Sequence, residues 1–116
     1  MAKKEKKKMF VINPYGWSVI LTTSVKQFNK VCKKHKVNGL ENKANIGGAL
    51  QSVNEKLIFI IGVFCKDLGV LVHELNHLCI RLFEFLNTPI NDDISETYCY
   101  LNQYLFNEFR VLFKIP

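Results

Sequence analysis

Apolar residues along this chain fall into blocks of changing period, and the period of each block predicts an element. Trp17 to Thr22 is rich in β-branched and aromatic side chains and predicts a strand. It follows the short apolar stretch Phe10-Val11-Ile12 and the turn signal Pro14-Tyr15-Gly16. From Val25 the spacing switches to three and four. Val25, Phe28, Cys32 and His35 share one face, Lys26, Lys30, Lys33 and Lys34 take the others, and Ser24 stands where an N-cap belongs. This amphipathic helix ends near Val37-Asn38-Gly39, with His35 continuing its inward face as a core-edge residue. After a polar connection over Glu41 to Ala44, Ile46 to Val53 reads as a strand weakened by Gly47-Gly48, a pair that marks a bulge or bend. Asn54-Glu55 makes a turn. Lys56 to Phe64 is then almost unbroken apolar sequence, which places it centrally in a sheet and pairs it with 46–53 as a hairpin.

The second half of the chain is helical in period. At about 100° per residue, Lys66, Asp67, His73, Glu74, His77, Arg81 and Glu84 fall within about a third of the circumference of a helix from Lys66 to Leu86. Leu68, Leu71, Leu75, Leu78, Leu82 and Leu86 lie opposite, and Thr88-Pro89 ends the helix. Asp93 can cap a last helix over Ile94 to Lys114, with Tyr98, Leu101, Leu105, Phe109 and Leu112 on one face. The expected architecture is α+β: a small, mainly antiparallel sheet of about three strands packed against three helices. Residues 10–116 form one domain behind a flexible basic tail, 1–9.

Composition narrows this picture. A 116-residue chain that is 48% hydrophobic can build one core, and nine Phe supply much of it. The net charge of +6 is uneven, with residues 1–43 at +9 and residues 44–116 at −3. Much of the excess is the run Lys3, Lys4, Lys6, Lys7 and Lys8, of a kind that stays solvated. The aromatics sit in core positions rather than between lysines, so nucleic acid is not the expected partner. Cys32, Cys65, Cys79 and Cys99 form no C-x-x-C pair and lie in apolar stretches, as buried free thiols of a cytoplasmic protein do. No export signal is convincing, since Met9 to Gly16 is broken by Asn13, Pro14 and Gly16 and lacks a small-residue cleavage site, and the longest apolar run, Leu57 to Cys65, is half a membrane span.

The most specific chemistry lies at His73-Glu74-Leu75-Asn76-His77. Residues i and i+4 on a helix stand about 40° apart in azimuth and about 6 Å apart along the axis, so His73 and His77 project side by side toward one ion. Glu74 is rotated about 60° from His77 and flanks that ion, where a base can take a proton from water. A catalytic zinc needs a third protein ligand, and Glu96 is the best candidate. The helix carries the chain about 15 Å past His77 and the next six residues span at most about 20 Å, so closure requires residues 88–92 to run back along the helix. Two other roles compete for these residues. Asp93-x-x-Glu96 has the form of a capping box, and Cys99, one turn after Glu96, is an alternative ligand. Tyr100, one turn beyond Glu96 on the same side, is the candidate oxyanion donor, whereas Tyr98 shares the core face.

His73-Glu74-x-x-His77, eighteen residues and then Glu96 resembles the gluzincin metallopeptidases. The resemblance implies Zn2+ held by His73, His77 and Glu96, Glu74 as general base, and a strand in the 46–64 hairpin lying along the cleft against an extended peptide. It covers roughly residues 46–110. The further subdomain that usually forms the other cleft wall is not expected within these 116 residues. The small size, the basic tail and the Ser95-Glu96-Thr97-Tyr98 context resemble short H-E-x-x-H proteins of phages and prophages. Two functions are therefore expected, ahead of a third, a basic nucleic-acid-binding protein using the tail and the Lys26, Lys30, Lys33 and Lys34 face, which the core placement of the aromatics lowers. One is a compact zinc hydrolase acting on a peptide or protein substrate. The other is a non-catalytic zinc-binding protein of phage or mobile-element origin that acts by binding a host protein. Neither involves a membrane.

Overall fold

A computed structural model describes residues 8–13, 15–41 and 46–116. Four strands, β1 (Lys8–Ile12), β2 (Trp17–Thr22), β3 (Gly48–Val53) and β4 (Ile58–Val63), form one mixed sheet in the order β1-β2-β4-β3. Three helices accompany it: α1 (Val25–Lys34), α2 (Leu68–Phe85) and α3 (Ser95–Leu112). The α+β expectation holds, with one strand more than the three anticipated. The addition is β1, which pairs antiparallel with β2 from Lys8↔Leu21 to Ile12↔Trp17. It begins two residues inside the segment expected to be a tail, whose remainder lies outside the described residues. The sheet is less antiparallel than expected because β2 and β4 run parallel, in the register Ser18↔Ile58 to Thr22↔Gly62.

The hairpin is present: β3 pairs antiparallel with β4 from Gly48↔Val63 to Val53↔Ile58. It turns through a 3-10 segment, Asn54–Lys56, and Leu57 at φ 53°. The long apolar run becomes a central strand because both of its faces are covered. Phe59, Ile61 and Val63 point to one cluster and Ile60 to another, and on β2 Val19 and Leu21 divide from Ile20 in the same way. The first cluster lies under α2 and α3, the second under α1. The helices thus lie on opposite faces of the sheet, two against one.

Local chemistry sets the helix starts. The Ser24 side chain accepts from the Gln27 N–H at α1. At α2 Asp67 accepts from the Gly69 and Val70 N–H groups, at 2.7 and 3.2 Å. A side-chain cap of this kind contributes about 1 kcal/mol. At α3 the expected Asp93 cap and capping box do not form. Ile94 is the N-cap and makes no side-chain cap bond, while Asn91 Oδ1 accepts from the Asp93 and Ile94 N–H groups just upstream. That leaves the Glu96 side chain without its capping role. Among the described residues no helix is long and apolar enough to cross a membrane.

Candidate metal centre

The leucine face of α2 behaves as its spacing demands. Leu71, Leu75, Leu78 and Leu82 are fully buried against the sheet, each worth about 2 kcal/mol. Orienting that face inward leaves His73 and His77 exposed on the far flank. Their Nε2 atoms stand 3.2 Å apart. Two nitrogens each about 2.05 Å from one tetrahedral ion would be about 3.3 Å apart, so the pair fits two ligands of a zinc centre as it stands. The same separation suits a hydrogen bond from one neutral imidazole to the other.

Glu74 differs from the two histidines in burial. It is only 6% exposed, whereas both histidines are open to solvent. The cause lies in β3. A Cβ built on Gly48 would stand 2.7 Å from the Gly62 carbonyl oxygen, 2.8 Å from Val70 Cγ1 and 3.0 Å from Glu74 Cγ. The glycine therefore lets the helix and its carboxylate lie close under the strand. Gly48 keeps its ladder pairing with Val63, and the Gly47 carbonyl accepts from the Phe64 N–H, so the glycine pair serves close approach rather than a bulge. Burial pushes the Glu74 carboxyl above its ordinary range, opposed by the positive charges of His73, His77 and Arg81. A carboxylate so placed is a better proton acceptor near neutral pH than an exposed one. Arg81 also makes a long contact, 3.5 Å, to the Leu50 carbonyl on β3.

Beside this carboxylate runs a cleft of about 490 Å3, walled by Ile46, Gly47 and Gly48 on one side and by Asp67, Gly69, Val70, His73 and Glu74 on the other. Among the described residues β3 is an edge strand of the sheet.

The structure brings His73, Glu74 and His77 together and does not bring Glu96 or Tyr100 to them. Among the described residues no three His, Cys, Asp or Glu side chains form a group able to hold a metal ion. Helix geometry gives the reason. Tyr98 and Asn102 of α3 reach α2, their hydroxyl and amide donating to Asn76 Oδ1 at 3.2 and 2.8 Å. Glu96 and Tyr100 lie two residues to either side of Tyr98, each rotated about 160° from it, so both face outward. Glu96 is exposed and Tyr100 is 66% exposed. Cys99 is exposed as well. Tyr98 packs edge-on against Phe83, as its core-face position implies, yet its phenol also reaches the residue before His77.

Gly47-Gly48 carried a signal in the strand pattern, expected to mark a bulge or bend, and serves close approach instead, and Asn76 and Asn102 also shape the site. The two asparagines carried no signal, because their meeting depends on how α3 packs on α2. Comparison with protein-family models, with curated proteins and with solved structures finds no match.

Proposed function

We propose that this protein is a metal-dependent hydrolase of peptide or other amide bonds, with zinc as its metal. The observation that carries the reading is the convergence of two imidazole Nε2 atoms at 3.2 Å beside a buried carboxylate from the intervening turn. Zinc, when bound, supplies a Lewis acid that polarises the scissile carbonyl. His73 and His77 hold it. Glu74 accepts a proton from the attacking water, which its raised pKa favours. The open edge of β3 offers backbone N–H and C=O groups to an extended peptide lying beside the cleft.

Glu96 completes the ligand set in this reading once the first turn of α3 rewinds. Ile94, the N-cap of that turn, makes no side-chain cap bond of the kind found at α1 and α2. Elemental analysis of wild type, His77→Ala, Glu96→Ala and Glu74→Gln, paired with turnover of a peptide library, tests the proposal. Wild type is expected to carry one zinc and His77→Ala none. Glu96→Ala should bind zinc at least tenfold more weakly. Glu74→Gln should keep zinc and lose turnover, and undiminished turnover in that variant ends the reading.

The outward placement of Glu96 favours a second reading, a zinc-bearing module of phage or mobile-element origin that binds a host protein without catalysis. It differs in outcome: wild type and Glu74→Gln would capture one host protein equally well, and neither would turn over substrate.

A further inference from the structure

The sheet face opposite the histidine pair carries a cationic surface that the hydrolase reading does not use. Between residues 6 and 40 the chain contains no Asp or Glu. On α1 Phe28, Val31 and Cys32 are buried against the sheet, and Lys26, Lys30, Lys33 and Lys34 project the other way. At about 100° per residue these four lysines occupy an arc of about 100°, roughly opposite the buried face, along about 12 Å of axis. A solvated face and compensation of the helix C-terminal dipole account for Lys33 and Lys34 taken alone. They do not account for what tertiary structure adds. Past the end of α1 the stripe opens into a cavity of about 580 Å3, where Lys34, His35 and Lys36 meet Asn54 and Lys56 from the far end of the hairpin, with Glu55 its one acid. Lys36 holds φ at 59°, a left-handed conformation in which glycine costs less.

We propose that the α1 face binds the phosphodiester backbone of duplex nucleic acid, independently of the histidine pair. The expectation against nucleic acid rested on aromatics confined to the core, and that confinement bears on base stacking, not on backbone contact. The exposed aromatics Phe85, Tyr100 and Tyr104 belong to α2 and α3, on the other side of the sheet. Contact is therefore made by lysine charge alone and is indifferent to sequence. Duplex DNA presents one charge per about 1.7 Å of axis, so the stripe faces about seven phosphates and engages a subset of them. Anionic lipid is the competing occupant. Its apolar foothold here would be Met9 and Val11, which face the α1 side of the sheet from β1, so the test sets DNA against anionic vesicles.

Fluorescence anisotropy of the full chain with a 20-base-pair DNA duplex, in EDTA, tests the proposal. Five lysine contacts, the four on α1 and Lys36, predict a log–log salt slope of about −4.5, which weakens binding about five-hundredfold between 50 and 200 mM salt. Lys30→Gln with Lys33→Gln should shrink the slope by about two, and Lys36→Gly by about one. Lys36→Gly relieves a left-handed lysine, so its melting temperature should hold or rise while affinity falls, an outcome a purely structural lysine would not give. Three results overturn the proposal. One is binding unchanged in both the Lys30/Lys33 double variant and Lys36→Gly. Another is binding abolished by replacing Lys3, Lys4, Lys6, Lys7 and Lys8 with Gln while the α1 variants bind normally. The third is tighter binding to phosphatidylserine vesicles than to DNA at equal salt. Survival in EDTA separates this surface from the metal reading, and loss on chelation would also refute independence.

Discussion

The two faces of the sheet are built from the same strands and differ in what they cover them with. On one face α2 and α3 lie over Val19, Leu21, Phe59, Ile61 and Val63, and α2 holds Glu74 at 6% exposure close under Gly48 of β3. On the other, α1 alone covers Ile20, Ile60, Ala49 and Val53, and its outer surface is lysine. The contrast teaches where chemistry can be sheltered. A carboxylate is held out of water where a glycine in the edge strand lets a well-packed helix slide beneath it. A single-helix layer has one buried side and one solvated side, so it displays charge instead.

The largest effect should come from emptying the core of each face. Phe59 stacks on Trp17 with ring centroids 4.3 Å apart, while Phe28 meets Phe64 edge-on at 6.0 Å. Phenylalanine truncation in a core costs about 3–5 kcal/mol. Urea denaturation should place Phe59→Ala at the upper end of that range and Phe28→Ala at the lower, since a lone helix can relax into the void. Equal losses would break the comparison. Gly48→Ala comes next, at about 1–3 kcal/mol, because its added methyl overlaps the Gly62 carbonyl and Val70. It should also lower zinc affinity by displacing α2, which the same substitution at Gly16, where a Cβ meets nothing, would leave alone.

Loss of an N-cap should cost about 1 kcal/mol for both Asp67→Ala and Ser24→Ala. The first should reduce zinc binding and the second should not, because only α2 carries the pair.

The pH response of the metal-free protein sharpens the contrast further. Burial raises the Glu74 pKa, so the folded state binds that proton more tightly than the unfolded chain. Stability from this group is complete below the unfolded carboxylate value of about 4.3 and is lost as pH rises through the folded value. Metal-free Glu74→Gln should lack that decline and melt above wild type at pH 8.

The smallest test uses the thiols. Burial pushes Cys32 up to about 11 and Cys79 up to about 12, while Cys65 and Cys99 are exposed. A thiol reagent at pH 8 should modify Cys65 and Cys99 in the native protein and all four cysteines in denaturant. In mild urea Cys32 should react before Cys79, since the one-helix layer opens at lower free energy.

Much of this was legible in the chain itself, for a physical reason. Period three-to-four and period two are local properties, and they place α1, α2, β2 and the β3–β4 hairpin within a few residues of where they lie. The i,i+4 spacing of His73 and His77 is equally local, so a helix suffices to bring the two rings together. The parallel β2–β4 pairing, the extra strand β1, the burial of Glu74 under Gly48 and the outward turn of Glu96 were not legible. Each depends on how one element rotates against another, and rotation is decided by contacts made across the chain. On α3 the choice fell to Tyr98 and Asn102, which bond Asn76 and turn the neighbouring carboxylate to solvent. The sequence by itself determined which atoms are available for chemistry. The packing of two helices decided which of them meet, because a helix that commits one face to its neighbour must turn the opposite face away.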